Sequence, residues 1–166
     1  MARILITFAT RKGSTSEIAG AIGKELQAAG HKVEVLEMKT VSSLTGYNAV
    51  VIGGPMYMGR MVGDVPVFVK RHRDTLRKLP IAGFIVGLAA VSKDLAGLTM
   101  AEKALGNALT PLQPVTTAVF AGRLDMAKLS WFQRWITKKV HSPTGDFRDW
   151  NAIAAWARDL TGKLGL

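Results

Sequence analysis

The segment Thr10-Arg11-Lys12-Gly13-Ser14-Thr15 gathers hydroxyls, cations and a glycine without a carboxylate, directly after the apolar run from Arg3 to Ala9. Where a buried strand hands over to a helix, such a turn presents backbone N–H groups, hydroxyls and the positive end of a helix to one point. That is the chemistry of a phosphate cradle. The same residues allow a plainer assignment. Ser14-Thr15-Ser16-Glu17 satisfies a capping box, in which Ser14 or Thr15 only caps the helix. Four hydroxyl residues between Thr10 and Ser16 exceed what one cap requires. A magnesium-dependent phosphoacceptor would place carboxylates at this strand end. Arg11 and Lys12 stand there instead, and they attract an anion and repel a metal ion.

The elements that must position this turn are legible as five short apolar runs, Ile4–Ala9, Val33–Met38, Ala49–Gly53, Ile81–Gly87 and Thr117–Ala121. Most are continuously apolar rather than alternating, as strands covered on both faces are. Helical patterns separate them. Ser16–Ala29 puts Ile18, Ile22 and Leu26 on one face and ends at Gly30. Val65–Leu79 turns Val65, Phe68, Val69 and Leu76 inward and Lys70, Arg71, Arg73, Arg77 and Lys78 outward. Leu98–Leu109 and Asn151–Leu164 follow. Alternation from end to end predicts an α/β fold with a parallel sheet and right-handed crossovers. Ligands of such sheets bind beyond the carboxyl ends of the strands. Besides the first turn, Gly54-Pro55-Met56-Tyr57-Met58-Gly59 and Leu88-Ala89-Ala90-Val91-Ser92-Lys93 fall at that edge. The chain carries neither G-x-G-x-x-G after the first strand nor a Walker sequence, which argues against a dinucleotide Rossmann site and an NTPase.

The chain has 166 residues, 48% of them apolar, and the expectation is one domain spanning 1–166. Met1-Ala2-Arg3-Ile4 enters a strand at once, no apolar run reaches the ~20 residues of a bilayer span, and a cytoplasmic protein is expected. There is no cysteine, so disulfides and thiolate chemistry are excluded. His31, His72 and His141 lack metal-ligand spacing. Lysine and arginine total 22 against 12 acids, a net charge of +10 that favours an anionic partner.

The segment Asp125–Val140 concentrates that charge. At helical spacing Leu129, Phe132, Ile136 and Val140 share a face, while Trp131 and Trp135 stand off it among Lys128, Arg134, Lys138 and Lys139. Tryptophans ringed by cations suit an anionic membrane interface or a flat acidic macrocycle. They equally suit a neighbouring loop covered by indoles, with the cations solvated. Nucleic acid is not expected as a partner, because no recognised nucleic-acid motif is present.

Taken together, these residues resemble the flavodoxin family over essentially the whole chain. More narrowly, Phe8-Ala9-Thr10-Arg11-Lys12-Gly13, Val51-Ile52-Gly53 with Tyr57 and Gly59, Phe68-Val69-Lys70, Phe120-Ala121-Gly122-Arg123-Leu124 and Asp149-Trp150 look like its menaquinone-dependent protoporphyrinogen IX dehydrogenase branch. The resemblance implies a three-layer sandwich whose five-stranded parallel sheet runs in the order 2-1-3-4-5. It implies FMN, with the phosphate held by Thr10, Arg11, Lys12, Gly13, Ser14 and Thr15. The ring would lie between Pro55, Met56, Tyr57, Met58 and Gly59 on one side and Leu88, Ala89, Ala90, Val91, Ser92 and Lys93 on the other. Lys93 or Arg60 would stabilise the reduced flavin. The implied activity is a flavin-dependent oxidoreductase of heme biosynthesis that oxidises protoporphyrinogen IX and passes electrons to a membrane quinone. Peripheral attachment to the inner face of the cell membrane goes with it. The chain departs from the family in having no aromatic in Leu88–Lys93 and a compact segment His141–Arg148. A non-catalytic electron carrier for a protein partner is the alternative, and a basic NAD(P)H-dependent quinone reductase is a third reading for which no nucleotide loop is visible.

Overall fold

The apolar residues of the first strand divide between two cores, and that alternation sets the layering. In a computed structural model, which describes residues 1–11, 13–88, 90, 94–124 and 145–166, strand β1 (Arg3–Phe8) sends Leu5 into one apolar cluster and Ile4, Ile6 and Phe8 into the other. The first cluster is shared with helices α2 (Asp64–Leu76) and α3 (Leu95–Leu109), the second with α1 (Ser14–Ala28) and α4 (Trp150–Lys163). The result is helix–sheet–helix, with the three central strands buried on both faces.

The parallel strands are β1, β2 (Lys32–Glu37), β3 (Ala49–Tyr57), β5 (Ile81–Val86) and β6 (Thr116–Phe120), ordered β2-β1-β3-β5-β6. Counted as five, they run in the expected 2-1-3-4-5 order, with Ile6 beside Val35 and Val51, and Ile52 beside Gly83. A sixth strand corrects the expectation. β4 (Arg60–Met61) turns back antiparallel on β3, pairing Met61 with Met56 and Arg60 with Tyr57. The third strand therefore does not stop at Gly53, and Gly54–Tyr57 is strand rather than loop. The cause is local. β1 ends at Phe8, leaving the edge of β3 beyond Gly53 open on that side. There Pro55 needs no N–H and offers its carbonyl to Val62 N at 3.0 Å. Met58 (φ 49°) and Gly59 (φ 75°) supply the two left-handed residues that a tight hairpin demands. A short antiparallel pair, β7 (Arg123–Leu124) with β8 (Gly145–Asp146), lies apart from the sheet.

Helix ends follow their sequence signals in part. Gly30 (φ 92°) donates to Gln27 O and His31 N to Leu26 O, a Schellman closure of α1. Asp94 and Asp149 cap α3 and α4 with their side chains. His31 does more than turn the chain, since its Nδ1 accepts from Ala2 N and its Nε2 meets Thr161 Oγ1. It ties the first residues to the last helix. Gly53 is beside Phe84 in the register, and the Phe84 ring lies across its backbone, continuing to Phe120 and Trp156.

A Cβ at Gly53 would overlap the Phe84 ring, whereas one at Gly20 on α1 meets nothing within 4 Å. Gly53→Ala is expected to cost about 3 kcal/mol or more and Gly20→Ala to add about 0.5–1 kcal/mol, read as opposite shifts of the urea midpoint.

Candidate cofactor site

At the carboxyl end of β1 the chain does not enter α1 through a side-chain cap. Gly13 occupies the cap position in a left-handed conformation (φ 90°, ψ −16°), and no side chain caps the helix. The capping-box assignment is thereby corrected: Ser14 is the first helical residue, and neither Ser14 nor Thr15 is a cap. The physical reason is the glycine. A serine cap in the extended region would fold its oxygen back over the first amides. Gly13 turns the chain without covering them, and its own N–H goes to Thr10 Oγ1 at 3.0 Å. The first intrahelical bond is the long one from Glu17 N to Gly13 O, 3.4 Å. The amides before it have no intrahelical acceptor, and they sum with the dipole of a 15-residue helix. Ser14 is part-exposed. A Cβ at Gly122, beyond β6, would stand 3.6 Å from its Oγ, so a glycine there keeps the space beside this hydroxyl clear.

Arg11 reaches from the same turn to Asp64 at the start of α2, 3.5 Å between Nη2 and Oδ1. Both are about half exposed, so the pair is weak and Arg11 remains free to engage an anion. Its charge also reaches Tyr57. Burial pushes the Tyr57 phenol above its usual range, and Arg11 opposes that shift only in part. The phenol is a protonated donor at neutral pH.

The hairpin divides the residues expected against the ring. Tyr57 is half exposed and Met58 entirely exposed at the tip, with Gly59 against Met100. Pro55 lies within β3. Met56 turns the other way and packs on the core and on Gly87. Arg60 is exposed opposite Tyr57. Of the third segment, Leu88 and Ala90 are half-buried just past β5, while Ala89, Val91, Ser92 and Lys93 lie outside the described residues, as does Lys12. The expected basic aromatic surface of Lys128, Trp131, Arg134, Trp135, Lys138 and Lys139 also lies outside them. What the structure does bring to one edge is Thr10, Arg11, Gly13, Ser14 and Thr15 with the Tyr57–Met58–Gly59 tip. That donor set of hydroxyls, open amides and a guanidinium fits a phosphate monoester joined to a flat apolar ring.

Sequence reasoning missed Arg148. Its guanidinium, 5% exposed, holds Asp146 through two oxygens (2.6 and 2.8 Å), contacts Glu17 Oε2 in the first turn of α1, and lies over the Trp150 ring at 4.6 Å. The strand pair β7–β8 is thus fastened to the first turn of α1, just past the Gly13 turn. The alternation Asp146-Phe147-Arg148, with the Asp149 cap following, was the available signal. Arg148 holds the Asp146 carboxyl far below its ordinary 3.8, at about 2.

Comparison with known proteins accords with this geometry. A family model described as a flavodoxin domain matches residues 5–151. Protoporphyrinogen IX dehydrogenase (quinone) of Escherichia coli strain K12 is 28% identical, over 95% of this chain and 94% of its own length. Among solved structures, oxidised flavodoxin 2 from Bacillus cereus superposes with a TM-score of 0.61 at 20% identity, covering 98% of this chain and 99% of that one. The flavodoxin of Streptococcus pneumonia TIGR4 gives 0.63 at 16%, covering 99% and 98%.

Two outcomes are expected. Ser14→Glu puts a carboxylate where the helix tolerates it but an anion does not. FMN affinity should fall about a hundredfold while riboflavin affinity changes little, in a fluorescence titration with both ligands. The folded-state value of Asp146 is depressed, so its stabilisation is present above about pH 4 and lost as pH falls towards about 2. Asp146→Asn should cost about 1 kcal/mol at neutral pH, after allowance for solvent screening, and flatten the acid limb of the stability profile.

Proposed function

As a member of the flavodoxin domain family this chain is an FMN-binding flavoprotein, and we propose that it oxidises protoporphyrinogen IX, in heme biosynthesis, and passes the electrons to a membrane quinone. The observation that carries this reading is the end-to-end similarity to the Escherichia coli enzyme, which spans nearly the full length of both chains. When bound, the flavin supplies the redox chemistry, taking electrons from a reduced organic substrate and yielding them to an acceptor. The chain's own residues would do the rest. Thr10, Gly13, Ser14 and Thr15, with Arg11 and Lys12, would hold the monoester. Pro55, Tyr57, Met58 and Gly59 would line one side of the ring, with Met56 supporting them from the core, and the segment Leu88–Lys93 would serve the other side.

The electrostatics suit an acidic substrate. Arg60 stands opposite Tyr57 in the hairpin and the charge of Arg11 reaches the same phenol, and both would draw in carboxylates such as the propionates of a porphyrinogen. Tyr57 O–H is available to donate to one of them. No side chain is assigned as a general acid or base, because the transfer rests with the flavin. Among the described residues no helix is long and apolar enough to cross a membrane. Access to a membrane quinone therefore calls for a peripheral contact, for which the cationic chain is suited by its net charge of +10. That charge also disfavours the carrier reading, since a carrier docking on a basic reductase should be acidic.

FMN-loaded protein incubated with protoporphyrinogen IX and menaquinone is expected to form fluorescent porphyrin in step with quinone reduction. Quinone left oxidised in the presence of substrate, alongside rapid reduction of the flavin by a ferredoxin-type partner, would contradict the proposal and establish the carrier.

A further inference from the structure

Helix α2 has a face that the proposed chemistry does not use. Val65, Phe68, Val69 and Leu76 are buried against the sheet and α3, while Lys70, Arg71, Arg73, Arg77 and Lys78 are all exposed on the opposite side. With Pro66 and Val67 these cations make up the exposed side of α2 and of the two residues just past its end, across a break in helical geometry at His72, and Asp74 is the one acid among them. Arg73 and Asp74 are 3.6 Å apart. Lys70, Arg71, Arg77 and Lys78 have no carboxylate partner among the described residues. A helix that only covers a sheet gains from outward carboxylates paired at i, i+4, and this one instead accumulates like charge at a cost in self-repulsion. Such a face has a use if an anionic surface meets it.

We propose that the outer face of α2 is the surface by which this protein docks on an anionic lipid bilayer. The inference deepens the membrane-quinone reading and rests on it. Two further observations favour a bilayer over other polyanions. Val67, 58% exposed, lies on the same exposed side, and the wholly exposed Met58 crowns the hairpin that leads directly into α2. Apolar side chains among cations suit an interface of headgroups over hydrocarbon. No aromatic side chain is exposed on this face for base stacking, as a single-stranded nucleic acid would use. The topology then gives the contact its purpose. α2 starts at the same sheet edge as the Tyr57–Met58 tip and runs away from it down the flank. A membrane lying along α2 would have its quinone pool beside the open edge of the flavin site.

The test compares FMN-loaded wild type with the variant Lys70→Gln/Arg71→Gln/Arg77→Gln/Lys78→Gln in flotation with vesicles of phosphatidylglycerol and phosphatidylcholine, and with phosphatidylcholine alone. Retained flavin absorbance and an unchanged urea midpoint certify the variant's fold. Each cation near an anionic surface is worth about fivefold in partitioning. Wild type is expected to float only with the anionic vesicles, less so at high salt, and the variant to lose at least about a hundredfold. The variant should keep its reduction of a water-soluble quinone. Equal flotation of wild type and variant would overturn the α2 surface while leaving the membrane reading intact, and the pair Trp131→Ala/Trp135→Ala would then show whether the later segment carries the contact. Wild type that floats with neither vesicle would overturn both. Tighter binding to duplex DNA than to the vesicles, lost in the variant, would assign the face to nucleic acid and overturn the proposal.

Discussion

An uncapped helix end at the carboxyl edge of the sheet is the constraint on which the rest of the molecule depends. Gly13, left-handed at φ 90°, delivers the chain into α1 with its first amides uncovered. Leaving those groups without a side-chain acceptor forgoes roughly 1 kcal/mol of capping stabilisation. An anion at that point recovers it and adds the interaction with the helix dipole. The fold contributes rigidity. α1 is held by Ile18, Ile22 and Leu26 against the sheet, closed at its far end by Gly30, and fastened near its start by the Arg148 guanidinium on Glu17.

The second constraint is a difference in strand length. β3 is nine residues long and β1 six, so β3 outruns its neighbour at the edge where the Gly13 turn lies. β4 fills the vacated side, and the tip it creates carries Tyr57, which feels the charge of Arg11. The Gly13 turn and the hairpin therefore share one edge because both answer the same event, the end of β1. Arg11 links them electrostatically, through Asp64 on one side and the Tyr57 phenol on the other.

Fold class was legible because the central parallel strands are apolar runs buried on both faces and the helices between them carry apolar stripes, whereas the strand order came with the family resemblance. The strand boundary at Gly53 was not legible. Gly53-Gly54-Pro55 has the composition of a turn, and only the tertiary fact that β1 has already ended makes a proline harmless there. The capping box stood as an alternative because Ser14 to Glu17 satisfies a local pattern, and it fails because Gly13 takes the cap position. In the site, the turn could be read directly from its hydroxyls and glycine. The inward turn of Met56 could not, since alternation along a strand sets it apart from Tyr57 and the segment did not read as strand, while Met58 is carried to the turn beyond β3. Arg148 went unnoticed because its partners Glu17 and Asp146 are far apart in sequence and meet only through α1 and β8.

The central claim is that the Gly13 turn grips a phosphate monoester as its dianion. Phosphorus NMR of the FMN-loaded protein tests it most directly. The bound resonance should stay at one chemical shift across about pH 5 to 8, because amides and cations that favour the dianion push its second ionisation well below the ordinary value of about 6. A bound resonance that titrates through about pH 6, as the free ester does, would mean that the phosphate lies in solvent and that this turn is not its cradle.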